Sequence, residues 1–261
     1  LASQLVGVES FSTVRVSDST NAGETVGITI DDAFVTGNEA SNALSIIGLD
    51  TDGTTVSDDL LTLDASGVET TYVALTMTGG SAVDTIKGGA GADTITGGAG
   101  ADKLTGGAGK DDFIFSNTTT VDQLIDLDLG TKIGDTKTAD QLDISGLIGG
   151  GITTAFSFAT DFDSIALASA GSAATTVDVL ILDQATYATE AAAGTAAAAN
   201  FVAKTANDLI VVWADTFNTV HFSVKDGRSA TAAAVTDFAS TTNYTLSQVA
   251  DVLDVGDFII A

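Results

Sequence analysis

The chain has no cysteine and no proline among its 261 residues, and only one histidine, one tryptophan and one methionine. Without thiols, disulfide frameworks, zinc–thiolate sites, iron–sulfur ligation and thiol catalysis are all excluded. A secreted domain of this kind has to be held by its core, its metals or its assembly. Absence of proline fits β-structure with uninterrupted ladders. With a single histidine, His221, neither an HExxH zinc motif nor a Ser-His-Asp set is expected to be possible within the chain. No run approaches the roughly 18 apolar residues that cross a bilayer, so no membrane span is expected. The first residue is Leu1, with no charged-then-apolar leader behind it. No cleavable signal peptide is therefore expected, and the chain reads as a piece of something longer.

Positive charge is also scarce: 9 Lys and Arg stand against 35 Asp and Glu, a net charge of −26. A nucleic-acid binder has to neutralise phosphates with Lys or Arg, so that class is excluded, as is attraction to anionic lipid. Only Glu9, Glu24, Glu39, Glu69 and Glu190 are glutamates; all the other acids are Asp, a poor helix former, a turn residue and a compact oxygen ligand. Aromatics make up 6% of residues, but the hydrophobic fraction of 44% is enough to build a core. The balance points to a folded acidic protein whose charge is neutralised in part by bound cations.

What the chain does have is a repeat. From Gly79 it reads GGSAVDTIK, GGAGADTIT, GGAGADKLT and GGAGKDDFI, four consecutive nine-residue units. Position six is always Asp (Asp84, Asp93, Asp102, Asp111), and position eight is large and apolar (Ile86, Ile95, Leu104, Phe113). Paired glycines permit a tight turn in which backbone carbonyls point inward together. Calcium takes six to eight oxygen ligands from carboxylates and carbonyls. One such turn supplies half a shell, and a second turn stacked on it supplies the rest. The residues after each Asp form a short strand that buries its apolar side chain.

These units resemble the RTX (repeats-in-toxin) nonapeptide GGxGxDxUx. The resemblance implies a right-handed parallel β-roll with two repeats per coil and Ca²⁺ held between turns n and n+2. It puts Asp93 and Asp111 on either side of one site, with carbonyls from Gly88, Ala90, Gly106 and Ala108. Asp84 and Asp102 flank the opposite one, and Gly97 and Ala99 belong to the implied ligand set. Ala82 departs from the pattern, which has glycine at position four. The stretch from Ile125-Asp126-Leu127-Asp128 to Asp140-Gln141-Leu142-Asp143-Ile144-Ser145 is similar to the segment that closes such rolls. Through Asp126, Asp128, Asp140 and Asp143 it would complete a late calcium site. The acidic tail ending in Asp257-Phe258-Ile259-Ile260-Ala261 resembles the uncleaved C-terminal signal of type I secretion.

Around the repeats the periodicity predicts short strands at Thr25–Ile30, Leu44–Leu49, Leu60–Asp64, Tyr72–Met77, Phe113–Phe115, Leu124–Leu129 and Gln141–Leu147. Residues 185–206 are Ala-rich and predict the one helix, and Leu209–Trp213 with Thr219–Val224 predict a hairpin. The expected fold is mainly β: a β-rich segment over residues 1–78, the calcium roll over 79–115, and a roll-closing, β-rich part with one helix over 116–261.

No catalytic set is expected. Gly109-Lys110 is followed by Asp111 where a phosphate loop needs Ser or Thr. The Asp126/Asp128 and Asp140/Asp143 pairs read as structural rather than as glycosidase carboxylates. His221 reads as a surface strand position, and Trp213 and Phe217 as hairpin or core contacts rather than a sugar site. The expected function is that of a secreted, cell-surface, calcium-binding structural protein, exported by a type I apparatus and self-assembling into an S-layer-like array. The alternative is the calcium-dependent export and folding module of a larger secreted hydrolase or adhesin.

Overall fold

A three-residue strand between two glycine turns is too short to make a hairpin of its own. It can bury its one apolar side chain only by joining a stack. The computed structural model shows that stack, and describes residues 12–18, 25–36, 43–50, 60–131, 139–149, 165–167, 179–200, 209–225, 235–253 and 257–259. In chain order the first strands are β1 (Thr13–Asp18), β2 (Thr25–Asp31), β3 (Ala43–Asp50), β4 (Leu60–Gly67) and β5 (Ala74–Thr78), with a short helix α1 (Asp32–Thr36) after β2. The four repeats supply β6 (Thr85–Lys87), β7 (Thr94–Thr96), β8 (Lys103–Thr105) and β9 (Asp112–Ile114). Then come β10 (Asp122–Leu124), β11 (Gln141–Asp143) and helix α2 (Ser145–Gly149).

Each of these strands pairs in parallel with the second strand along, so odd and even strands fall into separate sheets. One sheet runs β1-β3-β5-β7-β9-β11, and the other carries β2-β4-β6-β8-β10. Register aligns the apolar positions into ladders: Ile46, Met77, Ile95, Phe113 and Leu142 in one sheet, and Leu63, Ile86, Leu104 and Leu124 in the other. All nine are buried between the sheets. The two-sheet roll therefore begins well before the first repeat and passes through the repeats without a break.

The even sheet continues into the C-terminal part. Past β12 (Ile165–Leu167), β13 (Val179–Tyr187), helix α3 (Glu190–Asn200), β14 (Leu209–Asp215), β15 (Val220–Lys225) and β16 (Val235–Thr241), the sheet order is β12-β13-β14-β15-β16-β10. The predicted hairpin is there: β14 and β15 pair antiparallel. β15 pairs antiparallel with β16, and β16 lies parallel to β10. Phe222 and Val212 extend the roll's core on the inner face, while α3 lays Ala193 and Ala197 on Leu180, Val211 and Trp213 on the outer one. Helix α4 (Leu246–Val252) follows, closed by a Thr245–Gln248 capping box. Last, β17 (Phe258–Ile259) returns to pair with β11, Phe258 against Leu142.

Several sequence expectations need correcting in detail. The strand expected over Leu124–Leu129 ends at Leu124, and the one expected over Gln141–Leu147 stops at Asp143. There the Asp143 carboxylate accepts the Ser145 N–H and α2 begins. The Ala-rich helix starts at Glu190 and not at residue 185, because the preceding residues to Tyr187 extend β13, where the Tyr187 ring packs edge-on against Trp213. Part of its predicted end, residues 201–206, lies outside the described residues. Helices α1, α2 and α4 had not been anticipated; two of them are single turns, and α4 is marked only by its cap. No helix among the described residues is long and apolar enough to cross a membrane.

Candidate metal centre

The glycine turns sit at the ends of the repeat strands. A β-carbon on Gly106 would overlap the Asp111 carboxylate of its own repeat, and one on Gly97 would overlap that of Asp102. At the next position Gly107 has φ +101° and lies against the Gly89 carbonyl of the coil two repeats back. A side chain there would be strained by backbone conformation and blocked by backbone as well. The turns are thus packed glycine on carbonyl, with a carboxylate folded over each.

The Asp residues form two ladders. On the even side Asp84 Oδ1 accepts the Leu61 N–H at 2.8 Å, Asp102 Oδ1 that of Asp84 at 2.8 Å, and Asp122 Oδ1 that of Asp102 at 3.0 Å. On the odd side Asp93 takes Leu75 N–H at 2.8 Å, Asp111 takes Asp93 N–H at 2.8 Å, and Asp140 takes Asp111 N–H at 3.0 Å. The four repeat carboxylates are at most 1% exposed.

The second carboxylate oxygens divide the repeats into two kinds. Asp84 Oδ2 accepts Gly80 N–H at 2.6 Å and Asp93 Oδ2 accepts Gly89 N–H at 2.7 Å. Asp102 Oδ2 and Asp111 Oδ2 are buried with no hydrogen-bond partner. An orphaned carboxylate oxygen costs the protein its lost hydration, so these two positions call for a cation. Burial pushes Asp93 and Asp102 up to about 6, and Asp111 and Asp122 up to about 7. Asp140 is pushed up to about 8 by burial, with Asp111 and Asp126 adding like-charge repulsion.

The donor chemistry fits Ca²⁺. A β-carbon on Gly88 would meet both the Gly106 carbonyl and Asp93 Oδ2, and one on Gly79 both the Gly97 carbonyl and Asp84 Oδ2, so carbonyl and carboxylate oxygens meet at the two turns whose carboxylates are hydrogen-bonded. Among the described residues no three acidic or histidine side chains are placed to hold a metal ion by themselves, so a bound ion here draws on backbone oxygens as well as Asp. That is the habit of a hard cation of flexible geometry. Of the other implied ligands, Ala90, Ala99 and Ala108 donate their N–H groups to the carbonyls of Val68, Gly80 and Gly89, which fixes the spacing of the stacked turns.

Among the post-repeat acids, the structure gathers some and separates others. Asp126 takes the N–H groups of Gly106 and Gly107 at 2.8 and 3.0 Å, closing the odd turn stack beside Asp111. Asp140 accepts Asp128 N–H at 2.8 Å through Oδ2. Asp128 itself holds a turn through Gly130, and Asp143 caps α2 from the opposite face of β11 to Leu142. Sequence reasoning missed Asp122. Its signal was the tripeptide Asp122-Gln123-Leu124, identical to Asp140-Gln141-Leu142 and spaced as the Asp and apolar residue of a repeat.

Residues 78–113 match four copies of the RTX calcium-binding nonapeptide repeat. The chain therefore carries RTX calcium-binding motifs, and the ladder and turns just described are their form here. No curated protein matches the chain.

A second polar cluster lies on the outer face of the C-terminal sheet. His221 is not the plain surface residue expected. Its Nδ1 is 2.7 Å from Asp237 Oδ2, its Nε2 3.6 Å from Asp215 Oδ2, and its ring stacks on Trp213 at 4.2 Å. One histidine does suffice to meet an Asp and a Ser, but the Ser223 hydroxyl donates to Asp237 and not to the imidazole. No nucleophile–base pair is formed. Trp213 is buried in the sheet face, whereas Phe217 stands out at the hairpin tip, 85% exposed.

Proposed function

We propose that this chain is an extracellular structural protein that folds when calcium fills its RTX turns and then self-assembles on the cell surface, after export by a type I apparatus. The observation that carries the reading is the pair of buried, unpartnered carboxylate oxygens on Asp102 and Asp111. A roll whose carboxylates lack compensation is weak without a cation, and binding energy becomes folding energy. Cytosolic calcium is too scarce for extracellular-type sites with dissociation constants of about 10⁻⁴–10⁻³ M. At −26 an ion-free chain repels itself, which suits passage through a narrow channel. No enzymatic role is proposed, since the only Ser-His-Asp grouping met above has its serine turned away from the histidine.

The reading is tested by circular dichroism and particle size of the purified chain in EGTA, then with Ca²⁺ raised to ~10 mM. β-Structure followed by large ordered particles is the expected result. Folding to a monomer moves the function to an export and folding module of a larger secreted hydrolase or adhesin. No response to Ca²⁺ overturns both.

A further inference from the structure

We propose that the roll carries a docking face for a second copy of this chain, stacked by translation so that Lys103 and Lys87 of one molecule meet Asp143 and Asp112 of the next. The proposal rests on the self-assembly reading above and names the surface through which assembly would occur. In β6, β8, β9 and β11 the middle residue is buried and the flanking residues point outward. On β6 and β8 of the even sheet these are Thr85, Lys87, Lys103 and Thr105; on β9 and β11 of the odd sheet they are Asp112, Ile114, Gln141 and Asp143. Both charges on the one face are thus positive and both on the other negative, in a chain with only 9 basic residues. The three ion pairs among the described residues involve neither Lys103, which is exposed, nor Asp143. Lys87 holds Asp64 at 3.0 Å with 41% of its side chain still exposed. On the odd face Lys110 donates to Gln141 beside Asp112. Burial raises the Asp112 pKa; Lys110 opposes the rise and Asp143 adds to it.

Register makes the two faces match. Lys103 pairs with Thr85, so Lys87 lies one strand back in the stack from Lys103 and two residues further on. Asp143 pairs with Ile114, so Asp112 lies one strand back from Asp143 and two residues earlier. In each coil the chain goes out along one sheet and returns along the other, so two residues on in the even sheet and two residues back in the odd sheet are the same direction in space. The two diagonals are therefore one vector, about 8 Å long from the strand spacing and rise. A copy shifted across the sheets without rotation brings Lys103 over Asp143 and Lys87 over Asp112 at once. A translation closes no ring, so the contact repeats from copy to copy and builds an open row. Exposed ion pairs are weak singly and screened by salt, so the row should form cooperatively and dissolve at high ionic strength.

The test follows the full chain in ~10 mM Ca²⁺ by sedimentation velocity. Lys103→Glu, at an exposed position, should keep the circular dichroism of the parent and raise the protein concentration needed for assembly about fivefold or more. Because the chain has no cysteine, register can be read by oxidation. Lys103→Cys combined with Asp143→Cys puts two thiols on opposite faces, too far apart to join within one molecule, and should give a ladder of disulfide-linked oligomers. Thr62→Cys combined with Asp143→Cys, two strands away from Lys103 in the same row, should not. Parent particles that Lys103→Glu leaves intact, or a Thr62→Cys ladder as strong as the Lys103→Cys one, overturn this face and leave self-assembly standing. A parent that folds in Ca²⁺ and stays monomeric overturns the assembly reading and this proposal with it. If Lys103→Glu does not fold, the cysteine ladder decides, and its absence overturns the face.

Discussion

Asp111 and Gly107 carry opposite halves of the same turn chemistry, and each has a measurable cost. Gly107, at φ +101° and against a backbone carbonyl, has no room for a methyl group in a conformation that L-residues avoid. Gly107→Ala should therefore destabilise the calcium-loaded chain by about 2 kcal/mol or more, read as a lower Tm in excess Ca²⁺. Asp111→Asn should act the other way in metal-free buffer. Its carboxylate is buried and pushed up to about 7, so a neutral isostere of similar shape relieves the ion-free fold and raises its Tm. The same substitution should weaken calcium binding. A variant less stable than the parent in metal-free buffer as well would show that the Asp111 carboxylate is already compensated in the ion-free fold.

At the scale of elements, His221 ties three strands of the C-terminal sheet. Asp215 faces it from β14 and Asp237 from β16, Ser223 shares its strand, and Glu190 at the start of α3 reaches the Asp237 N–H. Tyr187 of β13 packs on the Trp213 ring that stacks with it. Burial disfavours the charged imidazole, but Asp237 and Asp215 outweigh burial and raise its pKa. A raised histidine stabilises the fold fully below its unfolded value of about 6.5 and stops doing so as pH rises through the folded value. Amides of β14–β16 should accordingly exchange faster relative to intrinsic rates at pH 8.5 than at pH 6, and His221→Gln should flatten that difference.

Much of this was legible in the sequence, and the exceptions have physical causes. The repeat turns, their strands and the β14–β15 hairpin each rest on local signals: paired glycines, an apolar residue at a fixed spacing, two apolar runs with a short turn. Asp122 was overlooked because its coil reaches the stack without glycines, so only the register shows that it stands over Asp102. The His221 cluster joins residues 213, 215, 221, 223 and 237 across three strands, a meeting that no local pattern encodes. Helix α4 is betrayed only by Thr245 and Gln248, a cap short enough to pass for a turn.

For the whole molecule, the buried Asp ladders make pH and calcium opposing controls. Asp93, Asp102, Asp111, Asp122 and Asp140 are all raised in the fold, to values between about 6 and about 8. Groups raised on folding favour the folded state when protonated, so in metal-free buffer stability should fall as pH rises from about 4 to about 8. The Tm without calcium should be higher at pH 5 than at pH 8. With saturating Ca²⁺ the order should invert, because the ion binds the carboxylates only when they are ionised. A metal-free Tm that rises with pH would show that the ladders are compensated in some other way.

The last strand gives the molecule a sense of direction in time. β17 lies against β11, with Asp257 and Phe258 each 5% exposed and the Ile259 carbonyl accepting the Ile144 N–H. Residues 257–259 are thus spent as a piece of sheet once the roll exists. If they are the address that an exporter reads, it is legible only on a chain that has not yet folded, and folding erases it. Departure and maturation then exclude one another, and a molecule that has closed its roll cannot be taken up for a second journey.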